Sequence, residues 1–403
     1  MAHDSVLRLS PTEEATSLHR ELVERARALA PTLAARAPEA TAQRRMPEAT
    51  LAELRAAGLF KAVQPTTYGG YGLPPTVIYD IQLELGRGDA SAAWVFGVLS
   101  VHSWQLALFP KQAQEDVWAS NPDALIASSY MPVAKVEVVP GGVEISGRWS
   151  FSSGCDASEW IFLGGFVPMP DGGKEMRTFL LPMSDCTIVD NWYVSGLRAS
   201  GSKDVIVEKA FVPDHRMHRF VDGARGKSPG NAIHTGVGYR LPFGQVHVRS
   251  VSTPALGAAR GALEHYCASM RQKVSQATGQ KAGENPRNAA FAAEAAAVLD
   301  REELVLRRNF AEMLAYLERG EEIPLERRVA FRHDSARAAR AAVEVVDQLF
   351  RSYGARALFL DDPINRHFLD VHAVLNHHAN DTDRPSENFG GVLFGRANVD
   401  GFV

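Results

Sequence analysis

The chain has 403 residues, 45% of them hydrophobic and 22% charged, a globular profile with room for about two or three domains. A net charge of −4 gives no basic face for nucleic acid, and no polybasic stretch suits an anionic membrane. The opening MAHDSVLRLSPTEE lacks the apolar core of a signal peptide, and no run approaches the roughly 18 apolar residues of a membrane span. Cys155, Cys186 and Cys267 make neither a CxxC pair nor an even set, so a cytoplasmic protein with no disulfide framework or zinc ribbon is expected.

Residues from about 10 to 120 read as helical. In SLHRELVERARALAPTLAARA the apolar positions Leu18, Leu22, Ala26 and Leu29 keep a helical period. PEATLAELRAAGLF runs from Pro47 to Gly58, a helix start and stop in the expected places. VQPTTYGGYGLPP is a loop, and the following stretch from Thr76 to Phe109 resumes helix, apolar enough in its second half to be buried. From about 121 to 225 the period becomes two. KVEVV and VEISGRW flank a Pro-Gly-Gly turn as a hairpin, and WIFLGGFV, RTFLLP and DVIVEKAFVP add strands to a mostly antiparallel β domain. From about 245 onward helix returns in four long segments, the last DPINRHFLDVHAVLNHHA, with Val343, Val346 and Phe350 as a seam; an antiparallel four-helix bundle is expected. The expected architecture is thus α+β, with a helical domain at 1–120, a β domain at 121–225 and a bundle at 226–403. The closing DRPSENFGGVLFGRANVDGFV is polar and glycine-rich, and no role follows from it.

Neither GxGxxG nor GxxxxGK[ST] is present, so no Rossmann or P-loop nucleotide site is visible, and without GxSxG there is no nucleophile elbow. His372, His377 and His378 lack the i, i+4 spacing with which a helix holds zinc, and no metal site is expected. His372, His377 and His367 read as helix-face or core residues.

The order helical, β, bundle resembles the acyl-CoA dehydrogenase fold. LRAAGLFKAVQPTTYGGYG, GLRASGSKDVIVEKAFVP and DPINRHFLDVHAV are similar to that superfamily's first helix and loop, the end of its β domain and its last long helix. Four further stretches, at 94–109, 127–136, 149–160 (WSFSSGCDASEW) and 377–381 (HHAND), resemble the oxygenase components of two-component, reduced-flavin-dependent aromatic monooxygenases. The 4-hydroxyphenylacetate hydroxylases and the hydroxylases of the phenolic steroid ring in bacterial cholesterol breakdown are the most similar branches. Acyl-CoA dehydrogenases carry a catalytic glutamate after the Arg-Asp of the last helix. Here Asp370 matches that aspartate, and eight residues on, where the glutamate would fall, stands His378. An imidazole titrating near neutral pH suits phenol chemistry better than proton removal beside a thioester.

The resemblance implies reduced FMN or FAD supplied by a separate NAD(P)H:flavin reductase, by flavin diffusion, and reaction with O2 to a C4a-hydroperoxide. That adduct would hydroxylate a small phenolic substrate ortho to its hydroxyl. Ser153 matches a serine near flavin N5, with Ser152 as the more structural of the pair. His102 and Ser128 match a pair on the phenolic oxygen, with Ser129 as the neighbouring alternative, and Trp94 matches a tryptophan against the flavin. Each has a plain structural alternative: a turn-capping serine beside Gly154, a satisfied core histidine, a core indole. Trp104, Asn380 and Asp381 follow the steroid-ring branch, which favours a substrate larger than phenylacetate. Family members are typically homotetramers. Three other readings stay open: oxygenation of nitrogen, sulfur or an indole on the same fold, an acyl-CoA dehydrogenase or oxidase with an unusual base, and a non-catalytic scaffold.

Overall fold

A computed structural model of the chain describes residues 11–274, 279 and 281–403. The first part is helical: α1 (Pro11–Gln43), α2 (Glu48–Ala56), α3 (Thr76–Gly88), α4 (Ala90–Leu106) and α5 (Lys111–Trp118). The expected single run after Thr76 is two helices. Asp89 breaks it with an extended backbone and caps α4 by accepting from the Ser91 N–H at 2.8 Å. All 17 residues of α4 are buried, as an all-round apolar helix requires. It packs against α3, β1 and two later helices, so any polar side chain on it is committed to the interior.

The middle of the chain forms strands β1 (Ile126–Ser129), β2 (Lys135–Val139), β3 (Gly142–Ser152), β4 (Trp160–Pro168), β5 (Lys174–Pro182), β6 (Thr187–Val189), β7 (Lys203–Pro213) and β8 (Met217–Arg219). They pair as two four-stranded sheets, β1-β4-β5-β8 and β2-β3-β7-β6. Every pairing is antiparallel except β1 with β4, whose register sets Ser128 opposite Phe162. The β2–β3 hairpin turns at Pro140 and Gly141, as its alternation predicts. Val143, Trp149, Leu163, Phe179 and Val205 fill the space between the sheets.

The remainder is α6 (Phe220–Ala224), α7 (Phe243–Gln272), α8 (Pro286–Glu318), α9 (Leu325–Tyr353), α10 (Pro363–Leu375) and α11 (Asp383–Leu393). Two differences from the sequence expectation bear on function. Helix α10 stops at Leu375, so His377 and His378 lie beyond it, His378 opening a short 3-10 turn to Asn380. The buried Asn380 side chain fixes that turn by donating to the carbonyls of Val251 (2.9 Å) and Val374 (2.8 Å). Helix α11 falls in the closing stretch to which no element was assigned. Pro385 in its first turn and paired glycines near its end argue against helix locally, and packing on α9 overrides them. Among the described residues, no helix is long and apolar enough to cross a membrane.

Candidate functional site

Where α4, the end of β1, the β6–β7 loop, α7 and α10 meet, they enclose a cavity of about 750 Å³. Trp94, His102, Ser128, Ser129, Ser153 and His378 all line it. Ser152 does not: it is fully buried and its hydroxyl finds no partner among the described residues. His372 and His377, expected on a helix face or in the core, line the cavity too: His372 from α10 itself, and His377 from the chain beyond it. His367 is a core residue at 3% exposure.

On the α4 side, His102 Nδ1 lies 2.5 Å from the Ile126 carbonyl oxygen, which can only accept, so Nδ1 carries the ring proton. Burial lowers the imidazole to about 4 despite that bond. At neutral pH it is therefore uncharged, and its Nε2 is a bare acceptor with no protein partner. Such an atom is costly to leave unpaired, and a hydroxyl brought into the cavity would satisfy it. Ser129 spends its hydroxyl on the Ser150 carbonyl at 2.8 Å. Ser128 is half-buried and engages the Tyr130 hydroxyl, which also donates to Gln105. The Tyr130 ring stands edge-on to His102, its centroid 6.0 Å away.

A second set of groups is wired together. Trp94 Nε1 donates to Ser153 Oγ at 2.9 Å, Ser153 Oγ is 2.7 Å from Ser202 Oγ, and Ser202 Oγ is 2.7 Å from Ser200 Oγ. The Trp94 ring meets the His377 ring edge-on at 5.4 Å. His377 and His378 rings are 4.5 Å apart, His377 and His247 6.3 Å. Burial and then the neighbouring His378 push His377 down to about 3, and burial pushes His247 well below the usual imidazole range. Burial, with Arg332 and Arg384, also lowers His378, against Asp400. The histidine cluster is thus neutral. Among the described residues lining the cavity none is Asp, Glu, Lys or Arg, and no group of three or more His, Cys, Asp or Glu is arranged to hold a metal.

Sequence reasoning passed over several lining residues. Tyr130 and Ser202 sit inside stretches already quoted as family-like, so a closer reading of ASSYMPVAKV and GLRASGSKDV would have found them. His247, Trp192 and Phe402 carry no local signal; only the fold brings them in. Trp104, taken as a mark of substrate size, is fully buried, donates to the Gly238 carbonyl at 3.0 Å and does not line the cavity.

The cavity fits a flavin ring with an aromatic substrate. Its volume lies high in the roughly 300–1,000 Å³ range of ligand pockets. Aromatic faces (Trp94, Trp192, Phe243, Phe402), serine hydroxyls and a bare imidazole nitrogen suit a flat, neutral, hydrogen-bonding guest.

Comparisons with known proteins agree. Residues 16–121 match the acyl-CoA dehydrogenase N-terminal domain family and residues 250–382 the acyl-CoA dehydrogenase C-terminal domain family. The chain is 38% identical over 382 residues to the flavin-dependent monooxygenase oxygenase subunit HsaA of Rhodococcus jostii, covering 94% of this chain and 100% of that one. It is 33% identical to the oxygenase component of the FADH2-dependent resorcinol hydroxylase of a Rhizobium species, covering 96% and 97%. The crystal structure of 3-HSA hydroxylase from Rhodococcus sp. RHA1 superposes with a TM-score of 0.91 at 38% identity, over 95% of this chain and 99% of that one. The chain belongs to the oxygenase components of flavin-dependent monooxygenases, built on the acyl-CoA dehydrogenase fold.

Proposed function

We propose that this oxygenase hydroxylates a phenolic aromatic compound ortho to its hydroxyl, using O2 and reduced FMN or FAD delivered by a separate NAD(P)H:flavin reductase. Bound reduced flavin supplies the electrons and, with O2, the activated oxygen; the chain binds, orients and moves the proton. The observation that carries the reading is the bare Nε2 of His102. Its Nδ1 proton is committed to the Ile126 carbonyl, so Nε2 is left to accept the phenolic proton, with Ser128 as the second contact. Drawing that proton toward Nε2 in a hydrogen bond raises electron density at the ortho carbon. Trp94, Ser153 and Ser202 then form the flavin side, where Ser153 offers a hydroxyl to the ring, and His378 faces the substrate from beyond α10. Ser129 is assigned a supporting role through its bond to the Ser150 carbonyl, and Ser152 none, since its hydroxyl has no partner among the described residues.

The uncharged lining supports a neutral phenol over an acyl-CoA thioester or an anionic substrate. Among the described residues no carboxylate lines the cavity to remove a proton from carbon, which disfavours acyl-CoA dehydrogenation, and none with a positive charge lines it to hold an anionic substrate. Resorcinol hydroxylation, named for one relative, is chemistry of this kind. The three-part division at 1–120, 121–225 and 226–403, a cytoplasmic setting and a homotetramer belong to the same proposal. Exposed Leu358, Phe359 and Leu360 offer apolar surface for a subunit contact.

The test is oxygen-isotope incorporation from labelled O2, with the enzyme, a flavin reductase, NADH and a panel of phenols, amines, thioethers, indole and acyl-CoA. Label at a ring carbon ortho to the hydroxyl is expected. Label confined to nitrogen or sulfur, or flavin reduction by the thioester, would overturn the reading.

A further inference from the structure

Asp370 lies on α10 beside the cavity-lining Leu369 and is only 5% exposed. Its Oδ1 accepts a 2.7 Å hydrogen bond from the backbone N–H of Leu197, 173 residues earlier in the chain. Leu197 has φ +50°, a left-handed conformation that side chains other than glycine rarely adopt. Something outside the loop must hold it there. The loop is also pressed onto α10: a Cβ on Gly196 would sit 2.1 Å from the Leu369 carbonyl oxygen, so only glycine fits.

Two lines of contact leave from Leu197. Its carbonyl accepts from Trp192 Nε1 at 3.1 Å, fixing an aromatic face of the cavity. The same carbonyl accepts from the Ser200 N–H at 3.0 Å, closing the turn that sets the Ser200 and Ser202 hydroxyls. Ser202 in turn holds Ser153, which takes the Trp94 N–H. One carboxylate oxygen on a bundle helix thus stands at the head of both an aromatic wall and the hydroxyl relay.

We propose that Asp370 is a positioning residue that, by fixing Leu197 in its left-handed turn, sets both the Trp192 wall and the hydroxyls that orient Ser153. The role of Ser153 in this inference rests on the function proposed above; the clamp itself does not. What the clamp needs is an acceptor oxygen at that point, not a negative charge. Burial and then Asp89 disfavour its ionised form, against the Leu197 N–H and Arg366.

The experiment compares Asp370→Asn, Asp370→Glu and Asp370→Ala by two readouts. The first is hydrogen exchange in the peptide spanning 192–202, measured without flavin or substrate. The second is hydroxylated product per NADH consumed. Asn keeps a carbonyl oxygen in place and is expected within about twofold of the parent in both. Glu keeps the charge but moves the oxygen by a methylene, and Ala removes it. Both should speed exchange and lower product yield, Ala by about tenfold, the loss of one buried hydrogen bond. Glu matching the parent while Asn fails would overturn the inference, as would unchanged exchange in Ala. If Ala does not fold, the Asn–Glu contrast decides. Absence of product from any phenol with the parent enzyme would sink the substrate reading and leave the exchange test standing.

Discussion

The two walls of the cavity are built by different means. One is regular: α4 and the end of β1 present Trp94, His102, Ser128 and Ser129 from a buried helix and a paired strand. The other is irregular: a loop with a left-handed leucine, a 3-10 turn carrying His378, and Phe402 in the closing segment. His102 has its tautomer fixed by a hydrogen bond and is 1% exposed, whereas among the described residues no hydrogen bond fixes the His378 ring. A rigidly oriented group loses the most when removed, because its geometry was set before the substrate arrived.

The largest expected effect follows from that contrast. His102→Ala should lower hydroxylation by about 100-fold or more, the scale of one general acid–base group, while NADH-driven O2 consumption continues as peroxide. His378→Ala should cost about tenfold, since an imidazole that no hydrogen bond orients contributes less of its intrinsic capacity. Product and peroxide measured side by side give both numbers, and equal losses would erase the distinction between the walls.

The same contrast explains what could be read in the sequence. Helix period, strand alternation and turn residues are local, so the α, β, α order and the hairpin at Pro140 and Gly141 were legible. His102, Ser128 and Ser153 sat in short contiguous stretches resembling a family, and all three line the cavity. The irregular wall depends on contacts between distant residues, such as Leu197 with Asp370 and His247 with Phe402, for which no spacing rule exists. Helix geometry says nothing of His377 and His378, because α10 ends at Leu375.

A smaller effect is expected on the flavin side. Ser153→Ala removes the acceptor of Trp94 Nε1 and a partner of Ser202, leaving a buried donor unpaired at a cost of about 1–3 kcal/mol. Peroxide released per NADH should rise several-fold, read by a peroxidase-coupled assay, and Ser202→Ala should give a weaker version. Unchanged coupling in both would remove the relay from the mechanism.

Buried histidines also give the fold a pH signature. His102 and His218 are each held at about 4 by burial, below the ordinary 6.5. Between those values the unfolded chain binds protons that the folded one does not, so stability must fall as pH drops below about 6.5 and level off near 4. Each group contributes up to about 2 kcal/mol of loss between pH 6.5 and 5. Denaturant titrations at pH 7, 6 and 5 should show this decline, and His218→Phe, which keeps the ring stacked on Phe109 at 4.9 Å, should make it shallower by that one group's share. A variant with the parent's slope would mean that the imidazole already protonates in the folded state.

The smallest effect is expected from Phe402, and it probes whether the irregular wall shapes the cavity or runs its chemistry. The ring lies nearly parallel to His247 (centroids 6.1 Å, 20°), 5.6 Å from His378, with the Arg332 guanidinium 5.7 Å from its centroid. Its backbone is held separately. Asp400 Oδ1 accepts the Phe402 N–H at 2.8 Å, Asp400 Oδ2 pairs with Arg332 Nε at 3.3 Å, and the Phe402 carbonyl rests on Gly244. Phe402→Ala therefore removes a half-buried ring without releasing the segment, for about 1 kcal/mol of stability. KM for the phenol should rise about threefold with kcat within about twofold, because the lost contact acts on bound substrate and transition state alike. A tenfold fall in kcat would instead show that the ring holds His378 in its working position, making this wall as exacting as the one around His102.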